Sequence, residues 1–190
     1  LLDHDDALAR DALYHFAIAL NEDRNRSLIY SDEDKIDLEG RRYGPHFKPE
    51  WNRLLFYSYN FITHLAVYRT EIVRRIGGFR SHCDGSQDYD LTLRFIEEIP
   101  EQSIHHIPYL LYHWRAIPGS TALGYREKNY AHENARKAIR EHLRRTKMAG
   151  TVTAGARPFL HRICFSLPAP LPLISAIICT RDRVDLLVVR

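Results

Sequence analysis

A chain of 190 residues is long enough for one domain with a sizeable core and too short for two of ordinary size. With 45% hydrophobic and 27% charged residues it is neither disordered nor collagen-like, and a net charge of +3 gives nucleic-acid binding little support. Three cysteines, Cys83, Cys164 and Cys179, stand far apart with no C-x-x-C pair; this argues against a disulfide framework or structural zinc and for a reducing, cytoplasmic setting.

In chain order, Leu1 and Leu2 read as the end of a buried strand, and Ala9, Ala12, Leu13, Phe16, Ala17 and Leu20 recur at helical spacing behind it. Between them lie Asp3, Asp5 and Asp6, of which Asp5 or Asp6 is placed to cap the helix. Leu28 to Tyr30 is a short apolar strand, followed by the acidic run Ser31 to Asp37, read as a solvated loop with a second metal cluster as the alternative. The segment Phe61 to Tyr68 predicts a strand, and a helix from about Thr70 stops at Gly77 and Gly78. Ser86 is positioned to cap a helix with Leu91, Leu93, Phe95 and Ile96 inward. Ile104 to Trp114 is β-rich, with Pro108 at an edge or bulge. Tyr125 to Lys147 predicts a helix with Ala131, Ala135, Ala138, Ile139 and Leu143 on one face and a basic opposite face, which is either solvated or weakly attracted to a membrane surface. Residues 149–172 are rich in Gly, Thr and Pro and read as a linker; Leu173 to Thr180 is a strong β run. Pro168, Pro170 and Pro172 interrupt the apolar stretch before it, so no run of about 20 apolar residues could span a membrane. Strands alternate with helices, which makes the class α/β.

The chemistry begins with the D-x-D pair Asp3 and Asp5. Two carboxylates on one tight turn suit a hard divalent cation that bridges a diphosphate, although capping and solvation explain many such pairs. A second acidic group opens the helix after the IGGFR turn, in QDYDL at 87–91. Taken with YSDEDKID and with LYHWR followed by GST, these motifs resemble, in order and spacing, the second half of a family 2 glycosyltransferase of the GT-A fold. The resemblance implies a partial Rossmann-like, nucleotide-diphospho-sugar transferase domain with a mixed sheet flanked by helices. It covers residues 1–148, with 149–172 as the linker and 173–190 as the first strand of a second such module.

The resemblance further implies an inverting transfer from a nucleotide-diphosphate sugar to a glycan or polysaccharide acceptor, at the inner face of the membrane. Asp3 and Asp5 would bind Mn²⁺ or Mg²⁺ and the diphosphate, and Asp88 would be the catalytic base, with Gln87 standing where such enzymes usually carry an acid. His113 is a third candidate for the metal, Arg115 and Ser120 for phosphate oxygens, and Trp51, Asn52, Tyr59, Asn60 and Gln87 for the acceptor. Each has a structural alternative: Asp88 as a first-turn acid favoured by the helix dipole, Trp51 and Tyr59 as core aromatics, and His113, Arg115 and Ser120 as core or surface residues. The chain starts without a methionine and reads as a piece of a longer protein, so the nucleoside pocket is expected upstream and the piece alone is expected to transfer poorly. A non-catalytic carbohydrate-binding module and a metal-dependent phosphohydrolase are the rival functions.

Overall fold

The computed structural model describes residues 1–116, 129–157, 159–177 and 181. In chain order the elements are β1 (Ala7–Leu8), α1 (Ala12–Glu22), β2 (Leu28–Ile36), β3 (Arg42–His46), α2 (Arg53–Ser58), β4 (Ala66–Tyr68), α3 (Thr70–Arg75), α4 (Gln87–Ile96), β5 (Ile104–Arg115), α5 (Asn129–Arg145), β6 (Gly150–Ala154) and β7 (His161–Phe165). The sheet is mixed: β2 and β5 run parallel at its centre, β1 is antiparallel to β5, and β3 and β4 are both antiparallel to β2.

Alternation along β2 divides the core. Leu28 and Tyr30 face a cluster built with Phe56, Tyr89, Leu93, Ala138 and Ile139, from α2, α4 and α5, and with Phe61 from the segment after α2. Ile29, between them, faces the other side, where Ala12, Phe16 and Ala19 of α1 meet Leu111 and Tyr112. The period of two in the strand thus joins helical layers on both faces of one sheet.

The later elements match the sequence pattern. α3 ends before Gly77 and Gly78, α4 starts immediately after Ser86, although the Ser86 side chain makes no cap hydrogen bond, and Ala131, Ala135, Ala138, Ile139 and Leu143 of α5 are all buried. The expected irregularity at Pro108 is a bulge: in the β2–β5 ladder Ser31 pairs with Ile107 and Asp32 with Leu110, which skips Pro108 and Tyr109.

Several expectations are corrected. Leu1 and Leu2 form no strand and are exposed, and α1 buries Ala12, Phe16 and Ala19 while Leu13 and Leu20 point outward. Helix α1 is preceded by Asp11, which makes no side-chain cap, and Asp6 is engaged elsewhere. The predicted strand at 61–68 is reduced to Ala66–Tyr68. The largest difference is the acidic run. Instead of a solvated loop, Ser31 to Ile36 continue β2 through the middle of the sheet, and Asp32, Glu33 and Asp34 are all buried.

Residues 149–172, expected to be a linker, contain the β6–β7 hairpin, and its Val152 joins the main core. Gly155 sits at the turn: its amide donates to the Leu160 carbonyl at 2.8 Å, and a Cβ there would lie 2.8 Å from both the Leu160 Cβ and that oxygen. Residues 171–177 form no strand, and 178–180, the end of the expected β run, lie outside the described residues. Cys83 and Cys164 are free thiols. Among the described residues no helix is long and apolar enough to cross a membrane.

Candidate active site

A cleft of about 980 Å³ opens where the carboxyl ends of the parallel strands meet the start of α4. That position is the general one for ligands in open α/β sheets. Lys35 and Trp114 reach it from the ends of β2 and β5, Asp3 from the amino-terminal loop, Tyr59 and Asn60 from the turn after α2, and Gln87 and Asp88 from the first turn of α4.

Asp88 is the best-defined acid in the cleft. The Asn60 side-chain amide donates to its Oδ2 at 2.8 Å, which fixes one carboxylate oxygen. Burial raises its pKa; the charge of His64 opposes the rise and that of Asp3 adds to it. The α4 start is in turn held firmly. Ser86 hydroxyl donates to the Ala131 carbonyl at 2.7 Å, and Gly85, at φ +80°, lies so near α5 that a Cβ would come 2.9 Å from the Ala131 Cβ. The second acid of the motif has a different task. Asp90 is fully buried and accepts from Arg80 and from Arg94, whose guanidinium also donates to the Ile76 and Gly78 carbonyls at 2.7 and 2.6 Å. The IGGFR turn is thereby tied to α4. Burial works to raise the Asp90 pKa, but the two arginines hold it below its ordinary value.

The opening aspartates part company. Asp3 is exposed in the cleft, and its backbone amide donates to the Tyr112 hydroxyl at 3.3 Å. Asp6 accepts the Tyr112 hydroxyl and the Arg115 backbone N–H, the latter at 2.7 Å. Burial raises the Asp6 pKa, against those hydrogen bonds. The Asp5 carboxylate lies 3.8 Å from His4, while its backbone carbonyl accepts from the Arg115 guanidinium at 2.6 Å. Asp5 and Arg115 are therefore joined to each other through the main chain, and neither lines the cleft. His113 lies under the sheet surface with its Nδ1 2.6 Å from Asp34 Oδ1, and it too stands outside the cleft lining. Asn52 caps α2, accepting from the Leu55 amide at 2.9 Å, and Trp51 packs on Phe56 and Phe61 at ring separations of 5.2 and 6.1 Å. Ser120 lies outside the described residues. Of the residues expected in the site, the cleft brings together Asp3, Tyr59, Asn60, Gln87 and Asp88.

Sequence reasoning missed His64 and Glu33. His64 borders the cleft, its ring stacked 4.8 Å from Tyr112 and its Nδ1 3.2 Å from Glu33 Oε2. Glu33 also meets His46 at 3.1 Å, the Thr63 hydroxyl at 3.2 Å and the Lys48 ammonium at 3.6 Å. Burial pushes the Glu33 pKa upward, yet the two histidines and Lys48 outweigh it and hold the carboxyl well below the usual range. Burial likewise lowers Lys48, to about 8, and opposes a net upward shift of His64 caused by Glu33. A histidine inside an apolar run such as FITHLAVY reads as strand; only its distant partner reveals it.

Among the described residues no group of three or more His, Cys, Asp or Glu could hold a metal unaided. Asp3 fits a cation only where ligand oxygens complete the shell, as they do for Mg²⁺ bound through one or two carboxylates and substrate phosphates.

No protein-family model matches the chain. It is 46% identical over 188 residues to "Uncharacterized protein y4gI" of Sinorhizobium fredii (strain NBRC 101917 / NGR234), covering 98% of the chain and 21% of that protein. It is 35% identical over 183 residues to the O-antigen biosynthesis protein RfbC of Myxococcus xanthus, covering 96% of the chain and 14% of that protein. The chain thus spans about a fifth of the length of the first relative and about a seventh of the second. S. aureus TarS 1-349, solved in complex with UDP-GlcNAc, shares the fold at a TM-score of 0.52 and 15% identity, over 75% of the chain and 41% of TarS. The mixed sheet flanked by helices, implied by the motif resemblance, is common to both.

Proposed function

We infer that the chain is a fragment of a family 2-like glycosyltransferase, a reading supported by its motifs, its RfbC relative and the fold it shares with TarS, and that its cleft serves inverting sugar transfer. The donor is a nucleotide-diphosphate sugar and the acceptor a glycan hydroxyl, in the assembly of a polysaccharide. The observation that carries the reading is Asp88: a carboxylate in the cleft wall, one oxygen fixed by Asn60, with a pKa raised by burial, as suits a base that must take a proton near neutral pH.

In this reading the acceptor hydroxyl lies against Asp88. Its oxygen attacks the anomeric carbon, the proton passes to the carboxylate, and the bond to the diphosphate breaks on the opposite face, with the electron pair leaving on the nucleoside diphosphate. Configuration at that carbon inverts. Asp3 would hold a divalent cation, Mn²⁺ or Mg²⁺, which when bound would supply positive charge to neutralise the leaving group. Asn60 orients the base and Gln87 adds an amide for acceptor hydroxyls.

Replacing Asp88 with Asn in the full-length protein keeps the shape and removes the proton acceptor. Transfer of radiolabelled sugar is expected to fall by about 10²–10⁴-fold, while nucleotide-sugar affinity holds. Unchanged transfer would remove Asp88 from the role. Donor binding without any transfer by the wild-type protein would favour a binding module instead.

A further inference from the structure

The cleft continues past Asp88 to a wall that the proposed chemistry does not use. Tyr89 follows the base on α4, His132 comes from the first turns of α5, and Phe159 and His161 come from the β6–β7 hairpin; all four line the same cavity. The His132 and Phe159 rings meet edge to face at 4.2 Å, and the Tyr89 and His161 rings lie at 6.1 Å with 24° between their planes.

Among the described residues, two buried polar atoms along this cavity have no hydrogen-bond partner: the Asn60 side-chain carbonyl Oδ1 and His161 Nδ1. A buried polar atom without a partner costs about 1–3 kcal/mol, so each gains from a ligand able to supply the missing bond. Asn60 Oδ1 accepts only, and thus calls for an O–H or N–H donor. His161 is 6% exposed, and burial, with Arg136 and His132 adding to it, lowers its pKa to about 4, so the ring is neutral and offers one donor and one acceptor nitrogen.

The wall's own side chains are aromatic, amide and neutral imidazole groups without a fixed charge, although Arg80 and Asp84 also line the cavity and Arg136 acts on His161. The wall has what a pyranose requires: flat ring faces against C–H surfaces and uncharged partners for hydroxyls that both donate and accept. The volume of about 980 Å³ lies at the upper end of the range for a single bound ligand, leaving room beyond the reacting groups.

We propose that the β6–β7 hairpin, together with the starts of α4 and α5, forms a neutral saccharide subsite that holds the acceptor sugar preceding the one whose hydroxyl reacts at Asp88. The word acceptor rests on the function proposed above; binding of a neutral saccharide does not. The hairpin is then part of the recognition surface for a growing glycan chain.

Saturation-transfer difference NMR on the full chain, with chitobiose, cellobiose and maltose as probes and UDP absent, tests the subsite. At least one disaccharide should receive saturation, and Phe159→Ala should weaken its affinity about five-fold, as loss of an aromatic contact does. His161→Leu should weaken it similarly and abolish the shift of the imidazole ¹⁵N resonances seen on binding. Phe159 is 37% exposed at the hairpin tip, so its truncation keeps the core intact even where the His161 change does not. No saturation of any of the three sugars, or affinity unaltered by Phe159→Ala, overturns the proposal. Asp88→Asn should leave disaccharide binding in place, so a failed base assignment and a failed subsite give different results.

Discussion

Two acidic clusters in this chain look alike on paper and behave in opposite ways. In β2, Asp32, Glu33 and Asp34 are each buried and each joined to a histidine: His106 Nε2 at 2.8 Å, His64 and His46 at 3.2 and 3.1 Å, and His113 at 2.6 Å. In the amino-terminal loop Asp3 stands exposed in the cleft while Asp6 is drawn into the fold by Tyr112 and Arg115. A carboxylate whose partners are supplied by other parts of the chain is a structural element; one left facing a cleft is available to a ligand.

The contrast is sharpest in stability. Glu33→Ala leaves buried Lys48 and His64 without their counter-charge and should cost about 3–5 kcal/mol, read from chemical denaturation. Asp34 keeps Arg42 at 2.6 Å when His113 is lost, so His113→Leu should cost less, about 1–3 kcal/mol, and leave unaltered the Mn²⁺ response that the proposed function expects of transfer. A large rise in the Mn²⁺ needed for transfer would instead restore His113 as a ligand.

pH separates the clusters with opposite signs. The folded pKa of Glu33 is lowered, so its stabilisation is present above the unfolded value of about 4.3 and is lost as pH falls below it. Asp88 is raised: its contribution is present below the unfolded value of about 3.9 and is lost as pH rises through the folded pKa. Glu33→Gln should therefore flatten the acid limb of a stability–pH curve, and Asp88→Asn should remove a neutral-pH penalty and leave the protein at least as stable. The smallest effect belongs to Asp3. Asp3→Ala should change stability by less than about 0.5 kcal/mol, since the residue is exposed, yet reduce transfer; equal loss in both would make it structural after all.

What the sequence reveals follows from how local each cause is. Helix α4, the stop before Gly77 and the bulge at Pro108 depend on residues close in sequence, and all three read correctly. Asp88 and Asn60, singled out through the resemblance, both line the cleft, and their roles there are proposals. The run after Tyr30 did not read correctly, because Asp32 and Asp34 find hydrogen-bond partners in His106 and His113, 74 and 79 residues away, and no local rule anticipates a partner at that distance. The hairpin was hidden by composition: Gly150, Thr151, Thr153 and Gly155 suggest turns, and only Val152 and Ile163 packed on the core make strands of their neighbours.

Tyr112 touches both acidic clusters at once. Its ring stacks on His64, which holds Glu33, and its hydroxyl meets Asp6 and the Asp3 amide. The two regions are therefore energetically coupled through one side chain: in a double-mutant cycle, changes at Glu33 and Asp6 should be non-additive, and Tyr112→Phe should reduce that non-additivity. The loop that offers Asp3 to the cleft thus inherits its position, through Tyr112, from a buried ion-pair network.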